Sequence, residues 1–381
     1  MPMSFYEELK LYREFDFQAY CSSVTEQKVR TVLDKRKLTP LDFLALLSDS
    51  ASPFLEEVAC RARDITRRNF GNVIFLFTPL YVSNLCENVC PYCSFSVENK
   101  ISRKHLSLDE IRIEARRISE TGIRHILVLT GEAPGLVDIH YLSGCVKILE
   151  EYFSSIAIEI YPLTEAGYRE LIGCGVDALT IYQETYEEPV YKKLHSGGPK
   201  GDYRFRLDAP ERACLSDIRS VTVGALLGLA YPQTEVFFSA LHAFYLQTKY
   251  PAVEVALSFP RLRPFSQDFQ ADYNVDDKRF VQFLVASRIF LNTVGITIST
   301  RESAIFRDAV LPMGPTKMSA GVSTSVGCND AEESVAQFEI ADQRSVDQLK
   351  QDLLSFGFQP VMHDWNYRYT RGQKAEGRRQ I

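Results

Sequence analysis

The stretch "NVIFLFTPLYVSNLCENVCPYCSFS" spans residues 72–96. It begins as a run of β-branched and aromatic residues, the composition of a buried strand. It ends in three cysteines, Cys86, Cys90 and Cys93, spaced C-x3-C-x2-C. A strand that leads straight into a loop of reactive side chains is what a parallel α/β protein provides at its strand C-terminal ends.

The same texture continues outward from this segment. Further strands are predicted over 125–132, 156–163, 177–185, 220–229, 252–264, 295–303 and 316–322. Helical patterns lie between or after them at 108–122, 234–250, 276–295 and 344–358. Eight strand–helix units fit a (β/α)8 TIM-type barrel better than an open doubly wound sheet. Upstream, the chain reads as helical: Thr39 is a candidate N-cap with Pro40 behind it. Ser52 and Pro53 repeat the device ahead of a helix closed by Gly71. No internal repeat or low-complexity linker divides the chain. The expected organisation is an N-terminal helical extension (1–71), a barrel with the C-terminal strands that complete its site (72–360), and a short C-terminal tail (361–381).

Bulk composition narrows the function. The 381 residues are 45% hydrophobic and 24% charged, as expected for a well-buried core. A net charge of −6 argues against a nucleic-acid partner, and the basic runs at 61–71 and 368–380 read as solvated faces. No run approaches the about 18–20 apolar residues of a membrane span. The N-terminus has acidic residues and no apolar core of a signal peptide. Nine cysteines is an odd count, and Cys21, Cys60, Cys145, Cys174, Cys214 and Cys328 are scattered singly, which is no disulfide framework. A reducing, cytoplasmic setting is expected.

Unusual polar residues follow the apolar run of successive strands. The cysteine loop follows the first, Gly131-Glu132 the second and Gln183-Glu184 the fourth; Arg261 and Arg263 end the sixth, Arg301 and Glu302 the seventh, and Ser319 lies on the eighth. In a barrel these positions share one face, the face where chemistry is done. Three explanations compete for the cysteines. Zinc needs a fourth ligand, and the nearest candidate, His105, gives a spacing that matches no common zinc pattern. A thiol-redox pair at Cys90-Pro-Tyr-Cys93 leaves Cys86 idle. An iron–sulfur cluster uses all three and leaves one iron open to an exchangeable ligand.

C-x3-C-x2-C in the first loop of a barrel, with Tyr92 just before the last cysteine, resembles the radical S-adenosylmethionine superfamily. Over nearly its full length the chain is further similar to the 2-iminoacetate synthases, the tyrosine lyases of bacterial thiamine thiazole biosynthesis. The stretches that carry this are 79–96, "VLTGE" (128–132), "YQETY" (182–186), "RLDAPER" (206–212), "SFPRLRP" (258–264), "STRES" (299–303) and Asp364-Trp365. Cys328 departs from the pattern, in a loop where a glycine would be unsurprising.

The resemblance implies a 4Fe–4S cluster on Cys86, Cys90 and Cys93, with S-adenosylmethionine on its open iron. It implies cofactor contacts from Tyr92, Glu132, Glu184 and Arg206, and a substrate site formed by Tyr81, Arg301 and Ser319. Arg212 is a weaker candidate, equally readable as a surface ion pair. The implied reaction splits L-tyrosine at Cα–Cβ into p-cresol and 2-iminoacetate through a 5′-deoxyadenosyl radical. The implied partners are thiazole synthase and an external electron donor of flavodoxin or ferredoxin type. Other readings are a tryptophan lyase, a hydrogenase maturase, which would carry a second cysteine motif after Cys328, and a non-enzymatic iron–sulfur or scaffold protein.

Overall fold

The computed structural model describes residues 4–263, 269–327 and 336–363. Asp364-Trp365, Cys328 and the tail from 364 lie outside the described residues. Eight parallel strands form a closed barrel: β1 (Val73–Ser83), β2 (His125–Thr130), β3 (Ser155–Glu159), β4 (Ala178–Glu184), β5 (Ser220–Ala225), β6 (Glu254–Ser258), β7 (Gly295–Ile298) and β8 (Lys317–Ser319). β1 closes the ring by pairing with both β2 and β8. Helices alternate with the strands; Leu108–Glu120 follows β1 and is opened by a Ser107/Glu110 capping box. Because β1 is buried along nearly its whole length, its sequence reads as one apolar run rather than an alternating one.

A ninth strand, β9 (Gln359–Val361), pairs with the first residues of β1. Its Pro360 lacks a backbone donor, so the segment does not read as a strand. β6 stops at Ser258, short of the predicted 264. The next residues bond to the loop after β5 instead: Leu227 N donates to Pro260 O at 2.8 Å and Leu262 N to Leu227 O at 2.8 Å.

The N-terminal extension packs on the outside of the barrel. Thr39 caps the helix Pro40–Leu47 in a full capping box with Asp42. Ser52 and Pro53 do not open the next helix. They fall inside a 3₁₀ segment, Asp49–Phe54, and the α-helix begins at Leu55. The carbonyl of Ser52 already accepts from Leu55 N, so this residue is in a helical turn and is not free to act as a cap. Phe43 stacks on Phe290 at 4.7 Å, and Phe17 meets Phe237 at 5.2 Å, which joins the extension to the helices after β5 and β6. Among the described residues no helix is long and apolar enough to cross a membrane.

Candidate active site

A cavity of about 140 Å³ opens at the C-terminal ends of the strands. Of the residues singled out by sequence, Tyr81, Tyr92, Cys93, Glu184, Arg263, Arg301 and Ser319 line it. Among its charged and amide residues, Glu159, Lys200 and Gln337 carried no sequence signal.

The cysteine loop is folded by its own backbone. Cys93 N donates to Cys90 O and Ser96 N to Cys93 O, each at 3.1 Å. Arg103 holds the loop from beneath, donating to the carbonyls of Asn84 (2.7 Å), Phe95 (2.8 Å) and Ser96 (2.6 Å). A second loop after β4 lies against it, with Val89 N donating to Gly197 O at 2.9 Å and Lys200 N to Asn88 Oδ1 at 2.9 Å. Gly198 sits at φ 88°, and a Cβ there would lie 2.4 Å from Asn88 Oδ1, so only glycine allows this approach. Gly131 is equally constrained: its Cβ would meet Leu85 O at 2.2 Å.

Cys90 is buried, whereas Cys86 and Cys93 are partly exposed. Among the described residues no three His, Cys, Asp or Glu side chains converge as one mononuclear ion would require. His105 instead packs on Tyr141 at 4.1 Å. A cubane cluster takes one thiolate per iron, so three thiols spaced along one loop fit it better than they fit a single zinc ion. Tyr92 turns its hydroxyl to His195 Nε2 at 2.7 Å, while His195 Nδ1 lies 2.8 Å from Tyr191 O. The carbonyl can only accept, so Nδ1 carries the proton and Nε2 accepts from Tyr92. Burial holds the His195 pKa down at about 3, which keeps the ring neutral.

One wall of the cavity is formed by a network of two carboxylates and two cations, of which Glu184 and Lys200 face the cavity. Arg206 donates to Glu132 Oε1 at 2.6 Å, to Glu184 Oε1 at 3.4 Å and to Tyr182 O at 2.7 Å. Lys200 Nζ donates to Glu184 Oε1 at 2.6 Å, and Asn88 to Glu132 Oε2 at 2.8 Å. Burial alone would raise both carboxylates. For Glu132 Arg206 leads the opposing pull, for Glu184 Lys200 does, and both groups end below the usual range. The set is charge-balanced and buried, which suits a zwitterionic amino-acid end entering between its members. Glu184 also holds a left-handed backbone, φ 69°, where the β4–β5 register shifts. Such conformations cost about 1–3 kcal/mol and gather at functional positions.

On the opposite wall, the Arg301 guanidinium lies 3.5 Å over the Phe338 ring. Its side chain donates no hydrogen bond among the described residues, and burial lowers its pKa. Tyr81 donates its hydroxyl to Gln337 Oε1 at 2.7 Å. Ser319 Oγ accepts from Thr300 N at 3.1 Å, which fixes the turn that presents Arg301.

Three expected members of the polar rim, Gln183, Glu302 and Arg261, and the weaker candidate Arg212 point elsewhere. Gln183 alternates away from the cavity between Tyr182 and Glu184 and donates to Tyr203 O at 3.4 Å. Glu302 is buried in a pair with Arg261, which also donates to Val275 O at 3.0 Å. Among the described residues Arg212 forms no ion pair, and it does not line the cavity. It donates to Leu163 O (2.8 Å) and Phe205 O (2.6 Å) and lies over the Phe205 ring.

A parallel barrel with three cysteines at its mouth and a zwitterion-sized charge network beside them defines a radical S-adenosylmethionine enzyme. Residues 80–235 match the radical SAM superfamily, and residues 258–359 match the biotin and thiamin synthesis associated domain. The chain is 37% identical to 2-iminoacetate synthase of Escherichia coli (strain K12), over 92% of this chain and 94% of that one. It is 35% identical to 2-iminoacetate synthase of Salmonella typhimurium over the same shares. In structure it is similar to HydG, a maturase of the FeFe-hydrogenase, with a TM-score of 0.87, 30% identity, and coverage of 98% of this chain and 84% of that one. The chain belongs to the 2-iminoacetate synthase family.

Proposed function

We propose that this enzyme cleaves the Cα–Cβ bond of L-tyrosine, releasing p-cresol and 2-iminoacetate for the thiazole of thiamine. Its family carries a 4Fe–4S cluster and S-adenosylmethionine. When bound and reduced, this pair supplies a 5′-deoxyadenosyl radical that removes a hydrogen atom from substrate. Cys86, Cys90 and Cys93 would hold the cluster. The Glu132–Arg206–Glu184–Lys200 network would hold the methionyl end of the cofactor, with Tyr92 beside it. The observation that carries the substrate reading is Arg301, a half-buried cation facing the cavity with no protein acceptor among the described residues. A guanidinium that has lost part of its hydration is costly unless a carboxylate reaches it, and an α-carboxylate would do so. Tyr81 and Ser319 flank that position, and the wall below, with Phe77 and Leu127, suits an aromatic ring. The closed barrel keeps water and reductants from the radical.

2-Iminoacetate is a reactive imine, so direct transfer to thiazole synthase fits the chemistry, as does an electron donor of flavodoxin or ferredoxin type in a reducing cytoplasm. The test is anaerobic incubation of the cluster-loaded enzyme with S-adenosylmethionine, a reductant and tyrosine or tryptophan. Tyrosine should yield p-cresol and 5′-deoxyadenosine. Cofactor cleavage without p-cresol would overturn the substrate assignment.

A further inference from the structure

Glu159 ends β3 and lines the same cavity, yet the reading above gives it no task. Strand register places it. Tyr81 on β1 pairs with Leu129 on β2, and Leu129 pairs with Glu159, so these three side chains form one row at the inner rim. The row below, Pro79, Leu127 and Ala157, is apolar. β3 and β7 lie four places apart in the ring of eight, so Glu159 and Arg301 project from opposite walls. Among the described residues the Glu159 carboxylate takes part in no hydrogen bond or ion pair. It differs in this from Glu132, Glu184 and Glu302, each of which is held by a cation.

From this geometry we infer that Glu159 is the general base that binds the substrate's α-ammonium group and takes one proton from it. The inference rests on the tyrosine-lyase reading. With the carboxylate on Arg301 and the ring lowered toward Phe77 and Leu127, the amine on the same α-carbon is left at the level of the rim row. There it faces the one lining carboxylate that no cation neutralises. The step moves a single proton. An N–H bond of the ammonium breaks, its electron pair stays on nitrogen, and an O–H bond forms on Glu159. No electron is transferred, and the neutral amine then carries an N–H hydrogen open to removal by the radical proposed above. An ammonium would resist losing that hydrogen, because the nitrogen would be left doubly electron-poor. The groups acting on Glu159 are Glu184 and Tyr182 from β4, Tyr81 from β1, Lys200 and Arg206 from the segment after β4, and Arg301 from beyond β7. Burial, then the Glu184 charge, push the Glu159 pKa up to about 7 against the pull of the cations. That value suits a base working near neutrality.

The experiment compares wild-type, Glu159→Gln and Glu159→Asp holoenzymes, matched for iron content and S-adenosylmethionine binding, across the pH profile of p-cresol formation. Glu159→Gln should lose about 10²- to 10⁴-fold in kcat and lose the acid limb of the profile near neutrality. Glu159→Asp should recover part of the rate and keep that limb. Activity of Glu159→Gln within a few-fold of wild type, or an unchanged acid limb, overturns the inference. So does rescue of Glu159→Gln by 3,5-difluorotyrosine, whose more acidic phenol would show that the carboxylate serves the ring hydroxyl. A wild type that cleaves its cofactor but makes no p-cresol fails differently, since that overturns the substrate reading itself.

Discussion

Arg301 concentrates the substrate question in one side chain. Its guanidinium is desolvated, stacked on Phe338 and donates no hydrogen bond among the described residues. A hydrogen-bonded contact to a charged group contributes about 1.5–3 kcal/mol, so Arg301→Ala should raise the KM for tyrosine about 10- to 100-fold. Because no carboxylate pairs with it among the described residues, its removal strands none of them, and the melting temperature should hold. An unchanged KM, measured in the p-cresol assay, would take Arg301 out of the substrate site. Sequence placed Arg301 and Glu184 on the right face through their position after an apolar run. It passed over Lys200, which lies in a glycine-rich loop with no periodicity, and Glu159, a single acid inside the strand "IAIEIYPL".

At the scale of elements, the end of β4 is held from outside the barrel by the helix Pro232–Lys249. Its fully buried Glu235 accepts from Thr185 Oγ1 and from Tyr186 N, each at 2.9 Å. Burial pushes the Glu235 pKa up to about 8 despite those bonds. A carboxylate raised in the folded state binds its proton more tightly there than in the unfolded chain, where its pKa is about 4.3. Its stabilising contribution is therefore full below about pH 4 and is lost as pH rises through about 8, a change of about 3–5 kcal/mol. Glutamine can accept from Tyr186 N and donate to the Thr185 hydroxyl without ever ionising. Glu235→Gln should flatten the fall in melting temperature between about pH 5 and pH 9. A slope equal to wild type would assign that pH dependence elsewhere. The motif "YQETY" thus serves both sides of the wall, with Tyr182 and Glu184 on the cavity and Thr185 and Tyr186 on the helix.

Across the whole molecule, the N-terminal extension and the barrel share one hydrophobic core. Phe43 is fully buried at their junction, on Phe290. Phe43→Ala should cost about 3–5 kcal/mol, the range for a buried phenylalanine truncated in a packed core. Thermal melting of the cluster-loaded enzyme reads this loss, while iron content and cofactor cleavage at 25 °C should stay near wild type. A parallel loss of iron in a folded variant would show that the extension supports the cysteine loop as well as the core. The extension was legible as helices from Thr39-Pro40 and Gly71, but its docking was not, because aromatic contacts such as Phe17 with Phe237 join residues far apart in the chain.

The chemistry of the cluster loop belongs to the sequence: three thiols within eight residues need only one tight loop to bring them together, and an apolar run before them makes a strand. The alternation of such runs with amphipathic stretches specifies a parallel barrel for the same local reason, since each element must bury its apolar face. Which charges meet is settled only when the barrel closes. Glu132 after β2, Glu184 at the end of β4, and Lys200 and Arg206 beyond β4 neutralise one another through space, while Glu159 and Arg301 are left unpaired by protein among the described residues. Strand spacing cannot show this, because pairing depends on register, on a bulge at Glu184 and on a close approach that Gly198 alone permits.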